Sequence, residues 1–279
     1  MDEELLVTAR ANDLIDPSLQ IWTWEVAMYL FLGGVTAGIM IFAAAVALLK
    51  KDETAPFAAT RLAILAPIVL SLGMTTLFMD LEHKLYVYRF YTAFKPLSPM
   101  SWGAWILLLI YPVSILQILA TLRRGVPQAA GFIDRHTISR AIVDWCERYR
   151  REISLVALPA GVLLGVYTAI LLSAFSARPF WNTGVLAPLF LVSGLSTAAA
   201  LVALLTRDHG ERAWFTRIDI VLIILELALV GLFIINLATG SAAQIQALDC
   251  CVMGGAYTFA FWVLFVGIDG LDWERVNRM

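Results

Sequence analysis

Between Trp24 and Leu49 the sequence reads WEVAMYLFLGGVTAGIMIFAAAVALL, with one ionisable residue, Glu25, at its start and Lys50 and Lys51 directly after it. A helix needs about 20 mostly apolar residues to cross a hydrocarbon core of roughly 30 Å. Lipid offers the backbone no hydrogen-bond partners, so a run this apolar satisfies its own carbonyls as a helix. Further stretches meet or approach the same criterion at about 62–83, 101–122, 153–176, 184–205, 217–240 and 251–271. Charge, proline, glycine or asparagine bounds each of them. The expected fold is all-α, a polytopic transmembrane helix bundle of about seven spans.

Composition points the same way. Hydrophobic residues make up 60% of the 279 and charged residues 15%, with a mean hydropathy of +0.79. A soluble protein carries about 45–50% apolar and about 25% charged residues. A formal net charge of −2 gives no basis for nucleic-acid binding, so the expected surroundings are the lipid bilayer. The acidic first twenty residues lack the layout of a signal peptide, which leaves insertion to the first apolar helix. Cys146, Cys250 and Cys251 form no CxxC pair, and an iron–sulfur cluster typically takes about four thiolates, so none is expected in this protein. The histidines are His83 at a span end and His136 and His209 in loops, which provides no facing pair for a transmembrane haem. The seventh stretch contains no lysine for a retinal Schiff base.

Lysine and arginine set the direction of the bundle. Of the 20 present, 15 follow the first, third, fifth and seventh stretches, and the other five lie on the opposite side. The N-terminus is therefore expected outside and the C-terminus inside. The long inner loop contributes seven arginines, and Ile138, Ala141, Ile142, Trp145 and Tyr149 recur in it at helical spacing. A basic amphipathic helix near 133–151, lying on the inner membrane surface, is the expected reading; docking to a partner subunit is the alternative.

Ionisable groups inside spans cost about 2.5–3.5 kcal/mol on insertion scales and so point to function. Glu25 opens the first span; Thr76, Asp80 and His83 sit at spacings of four and three at the end of the second. Glu82, Lys84 and Arg89 follow, and Ser98, Pro99, Met100, Ser101 and Trp102 open the third. Solvation at the membrane interface is the plain alternative, above all for Glu82, Lys84 and Lys95. All of these groups fall on the outer face, and apart from Lys84, Arg89 and Lys95 none of them entered the charge count that set it. Glu226 differs, lying within the apolar run Ile220 to Leu237, with Ser193, Ser196 and Thr197 of the fifth span as possible partners. It serves either a proton path or, as a protonated acid, a helix-to-helix lock. Gly34 with Gly38, and Gly161 with Gly165, have the spacing that lets helix backbones approach.

Three stretches together resemble the NrfD/PsrC family, the membrane subunits of polysulfide reductase and related molybdenum–iron–sulfur respiratory enzymes. The first is Trp24-Glu25 with Tyr29-Leu30-Phe31-Leu32-Gly33-Gly34 and Gly38. The second is Asp80-Leu81-Glu82 and Arg89-Phe90, leading to Ser98-Pro99-Met100-Ser101-Trp102-Gly103-Ala104-Trp105. The third is Gly165-Val166-Tyr167-Thr168, Arg178-Pro179-Phe180-Trp181-Asn182 and Leu189-Phe190-Leu191-Val192-Ser193-Gly194-Leu195-Ser196-Thr197. Ser-Pro-Met-Ser-Trp-Gly is the most specific of these runs.

The resemblance implies a cofactor-free subunit of the cell's inner (cytoplasmic) membrane, active only within a multi-subunit oxidoreductase. A ferredoxin-like iron–sulfur subunit would dock on its outer face beside a catalytic subunit, and a quinone, menaquinone or ubiquinone, would bind just beneath. It also implies a division into an outer tail (1–23), a first four-helix bundle (24–176), a second part of three spans (177–271) and an inner tail (272–279). Family members usually carry eight or more spans in two four-helix bundles, so this second part is short by one.

Quinone reduction needs donors to the carbonyl oxygens and a group that exchanges protons. His83 suits the second task because imidazole changes charge close to neutral pH, and Asp80 at a helix end is placed to relay. Glu25 and Arg89 are candidates for orientation or charge compensation, Trp24 and Ser101 for lining the site, and Trp102 or Tyr86 for stacking on the ring. Thr76, Ser193, Ser196, Thr197 and Glu226 are the candidates for a proton path. A proton or solute transporter and a purely structural anchor are the competing functions.

Overall fold

The computed structural model describes residues 24–81, 83–92, 95, 99–173, 181, 183–254 and 258–259. Both tails and most of the seventh apolar stretch, 251–271, lie outside the described residues. Within them are helices and turns and no strands. The long helices are α1 (Trp24–Leu48), α2 (Leu62–Asp80), α3 (Pro99–Leu119), α4 (Thr137–Arg148), α5 (Arg150–Ser173), α6 (Leu186–Leu205) and α7 (His209–Ala238). All except α4 are long and apolar enough to cross a membrane, which gives six candidate spans among the described residues.

Helix α1 is the axis of the bundle. At about 1.5 Å per residue its 25 residues run roughly 37 Å, enough to span. From Gly33 to Met40 every residue is buried, so helices surround it: α2, α5 and α6 all pack on it. Between apolar helices in lipid there is little hydrophobic gain, and association depends on close van der Waals packing. Glycines supply that closeness. Gly34 and Gly38 lie against Gly194 of α6, and a Cβ on Gly38 would run into the Gly194 carbonyl oxygen and, at 2.6 Å, the Ala198 Cβ. A Cβ on Gly161 of α5 would come 3.0 Å from the Ala37 carbonyl oxygen. Helix α3 packs on α5 and α2, and α7 packs on α6.

Two helix boundaries depart from the sequence expectation. Helix α2 stops at Asp80, where Leu81 turns extended (φ −68°, ψ 120°), so His83 leaves the helical face that Thr76 and Asp80 share. Helix α7 begins eight residues before the expected start at 217, because the Asp208 carboxylate caps it by accepting from the Glu211 backbone N–H at 3.0 Å. Arg212, Arg217 and Asp219 hide those two turns in the sequence by lowering the local apolarity. At roughly 45 Å, α7 is longer than the hydrocarbon core and reaches past it.

That overhang carries Glu211, fully buried, which accepts from the backbone N–H groups of Phe57 (3.0 Å) and Ala58 (2.8 Å) and from the Thr206 hydroxyl (2.7 Å). The carboxylate thus caps the short helix Pro56–Thr60 in the loop after α1. At the same end Arg150 grips Asp52 with two bonds of 2.8 Å and reaches the Ala59 carbonyl at 3.2 Å. The Arg150 guanidinium holds the Asp52 carboxyl below its usual range. Its contribution to stability is therefore present above the ordinary carboxylate pKa and is lost as pH falls through the lowered one.

Substituting Gly38 by Leu should disrupt the α1–α6 approach, costing about 1–3 kcal/mol or more as an overpacked contact. Thermal melting in detergent, read by monodispersity, should fall sharply. Gly231→Ala in α7 is the control, since nothing lies within 4 Å of its added Cβ; its melting point should hold or rise slightly.

Candidate functional site

At the end of the bundle where α1 begins and α2 finishes, ionisable and aromatic side chains gather. Trp24 is exposed at the first position of α1, as an indole at headgroup level would be. Glu25, one position on, lies close enough to Asp80 for the two charges to interact. Asp80 is half-buried at the last position of α2. Among the described residues no hydrogen bond or ion pair holds the Asp80 carboxylate.

After Leu81 the backbone makes a single 3₁₀ turn, Lys84–Tyr86, with His83 just before it. The His83 and Tyr86 rings are 6.2 Å apart, and the Arg89 guanidinium sits 4.5 Å over the Tyr86 ring. Two candidates with separate expected tasks, Tyr86 for stacking and Arg89 for charge, therefore hold each other through a cation–π contact. Ser101, buried in the first turn of α3, accepts from the Lys95 backbone N–H at 3.0 Å and so pins the incoming loop to the helix. Trp102 is exposed beside it. Thr76 donates to its own helix, at the Gly73 carbonyl 2.7 Å away.

Beneath these groups lie tyrosines that sequence reasoning missed. Tyr29 and Tyr167 are each 4% exposed, and Tyr29 is within electrostatic reach of Tyr167 and Tyr91. The Tyr111 hydroxyl is 3.1 Å from the Ser71 hydroxyl. Tyr29 follows Glu25 by four residues, which puts both on one face of α1; that spacing was the available signal. The Gly of the Ser-Pro-Met-Ser-Trp-Gly run also finds its reason here. A Cβ on Gly103 would run into the Tyr167 hydroxyl, so the glycine is what admits that phenol against α3.

The other candidates form a separate group. Thr197 donates to the Ser193 carbonyl at 2.9 Å, and Ser193 and Thr197 line a cavity of about 450 Å³ between the N-terminal halves of α1 and α6. Leu30, Phe31, Phe190 and Trp181 make this cavity mostly apolar. It occupies the side of α1 roughly opposite Glu25, so it is distinct from the Asp80 cluster.

Ser196, expected near Glu226, donates instead to Asp219, at 2.5 Å. Asp219 is only 5% exposed and Glu226 8%, so with Glu211 α7 carries three buried acids where one was expected. Asp219 escapes notice in the sequence because a span starting at 217 would put it in the first turn, at the surface. Glu226 stands two turns further along α7, about 10 Å, level with the first turn of α6.

Comparison with known proteins finds relatives along most of the sequence. The family described as polysulphide reductase, NrfD matches residues 12–271. Protein NrfD of Escherichia coli (strain K12) is 30% identical over 270 residues, covering 90% of the present sequence and 81% of that protein. The C polypeptide of polysulfide reductase from Wolinella succinogenes is 24% identical over 257 residues, covering 89% and 80%. A protein NrfD homolog of Haemophilus influenzae is 27% identical over 267 residues, covering 89% and 81%.

The Gly103–Tyr167 contact can be tested by a double-mutant cycle. Gly103→Ala alone should lower stability by about 1–3 kcal/mol through overpacking. Combined with Tyr167→Val it should cost less than the two single changes added together, as read from thermal melting of the four proteins.

Proposed function

The protein belongs to the polysulphide reductase NrfD family of membrane subunits of respiratory oxidoreductases, and from that premise we propose that it binds a quinone or quinol beside Asp80 and exchanges electrons with an iron–sulfur subunit docked on the same face. The observation that carries this reading is the cluster itself: Glu25 and Asp80 in mutual reach, with the buried phenols Tyr29 and Tyr167 below and the His83–Tyr86–Arg89 set alongside.

A quinone takes up two electrons and two protons to become the quinol, and oxidation reverses both transfers. The chemistry asked of this subunit is therefore donation to carbonyl oxygens and movement of protons. Tyr29 and Tyr167 supply hydroxyl donors in a water-poor setting where such bonds are strong. Asp80 takes or gives a proton at the ring oxygen, and His83, exposed beyond the helix end, passes it to or from water. Arg89 balances negative charge while stacked on Tyr86. The electrons stay on the partner's iron–sulfur clusters and pass directly to or from the quinone. The ring fits menaquinone or ubiquinone, and the complex resides in the inner (cytoplasmic) membrane, with this face outward as the lysine and arginine bias implies.

The Ser196–Asp219 hydrogen bond supports one addition, proton movement between α6 and α7. Asp219 and Glu226 place buried acids along α7 where lipid alone would give no reason for them, and Ser196 of α6 bonds to the first of them.

Asp80→Asn and His83→Ala, made in the assembled complex, should leave insertion and subunit assembly intact. Each should lower quinone-linked turnover, by on the order of 100-fold for the more important of the two. Unchanged turnover with quinol analogues in both variants would remove the site from this position. In proteoliposomes, Asp219→Asn and Glu226→Gln should reduce the membrane potential formed per turnover. A wild type that turns over without forming a potential would reduce the protein to an electron-transfer anchor, and one that moves protons or solute without its partners would make it a transporter.

A further inference from the structure

The loop between α3 and α5 folds into the 12-residue helix α4, whose surroundings divide it into three faces. Val143 and Cys146 are buried, Val143 against Leu122 and Cys146 against Ala120 and Ile153, so one face rests on the ends of the spans. A second face is apolar and uncovered: Ile138 is 78% exposed and Trp145 52%, with Ile142 and Tyr149 also exposed. At about 100° per residue, this stripe sits roughly a quarter to a third of a turn from the buried face. Arg140, Asp144 and Glu147 make up the third face, on the far side from the stripe.

The charges are sorted as well. One arginine, Arg123, collects three of the loop's acids: Asp134 at 2.8 Å, Asp144 at 2.6 Å and Glu147 at 2.8 Å. It holds the Asp134 carboxyl below its usual range. Arg140, Arg148 and Arg151 remain outside these pairs and form no ion pair among the described residues. Arg148 closes α4 on the flank of the apolar stripe, and Arg151 opens the next span, where a headgroup layer would lie. Arg123 alone does not balance three carboxylates, but residues 123–151 carry seven arginines against three acids, so the loop keeps a net positive charge beside an exposed apolar stripe.

We propose that α4 is a binding element for anionic phospholipid. Ile138, Ile142, Trp145 and Tyr149 seat among the acyl chains of the adjacent leaflet, and Arg148 and Arg151 bind headgroup phosphates. Apolar burial and electrostatic attraction act together in such helices, and this combination makes attachment sensitive to lipid composition. The stripe lies beside the bundle rather than directly away from it, as a helix lying along the membrane surface requires. The assignment depends only on the spans crossing a bilayer and is independent of the quinone proposal.

The test compares the full-length protein in nanodiscs of phosphatidylcholine with nanodiscs containing added phosphatidylglycerol, by hydrogen exchange over residues 137–148. The wild type should exchange several-fold more slowly in the anionic discs. Arg148→Gln with Arg151→Gln, which leaves the Arg123 pairs intact, should exchange alike in the two bilayers. Ile142→Ser with Trp145→Ser should exchange faster in both. Wild-type exchange indifferent to phosphatidylglycerol would overturn the proposal without recourse to any variant. So would protection that arises only when the other subunits of the complex bind, which would assign the stripe to a protein partner.

Discussion

The contact on which the rest of the bundle depends is the meeting of α1 and α6 at Gly34, Gly38 and Gly194. In lipid, leucines on facing helices gain little over leucines facing acyl chains, so helices hold together where their backbones come close. A side chain at Gly38 or Gly194 would push the helices apart, the latter by meeting the Gly34 backbone. Since α2 and α5 also pack on α1, the displacement would reach every element around it. The Asp80 cluster draws on the same axis, because Glu25 and Tyr29 are carried by α1 and meet partners on α2 and α5. Backbone proximity at mid-membrane thus sets the position of the polar groups at the surface.

The two ends of the bundle are built for different tasks. Where α1 finishes, polar groups are matched: Glu211 accepts three hydrogen bonds, Arg150 holds Asp52, and Arg123 holds three acids. A densely hydrogen-bonded polar network confers rigidity. Where α1 begins, no hydrogen bond or ion pair holds the Asp80 carboxylate among the described residues, and the His83–Tyr86 and Tyr86–Tyr88 rings meet as tilted pairs 6.2 and 6.4 Å apart. Groups without fixed internal partners are those a ligand can recruit.

Much of this was legible in the sequence itself, and the limits have physical causes. The apolar runs announce spans because lipid imposes a length and an apolarity that few soluble helices share, and α4 announces itself through strong helical periodicity. Asp80 and Glu25 stand out because a carboxylate near a span is costly. Tyr29 and Tyr167 do not, since a phenol inside an apolar run looks like any bulky core residue until its neighbours are known. Asp219 is hidden by arginines that blur the start of α7. The three acids held by Arg123 lie 11, 21 and 24 residues away, and no spacing rule joins them. Gly103 belongs to a recognisable motif, yet its reason is a side chain arriving from another helix.

The cap that Glu211 places on the Pro56–Thr60 helix also bears on how the protein is made. Its bonds to Phe57 and Ala58 close gaps of 154 and 153 residues. At a synthesis rate of about 5–20 residues per second, the two amides wait roughly 8–30 s after leaving the ribosome before their acceptor exists. During that time α1, α2, α3 and α5 can insert and pack, while the loop joining the first two remains unsecured. The carboxylate that completes it arrives on the overhanging start of α7, after α6 has been threaded. The bond therefore acts as a late closure in biogenesis, fastening the earliest loop only once the later helices have been delivered.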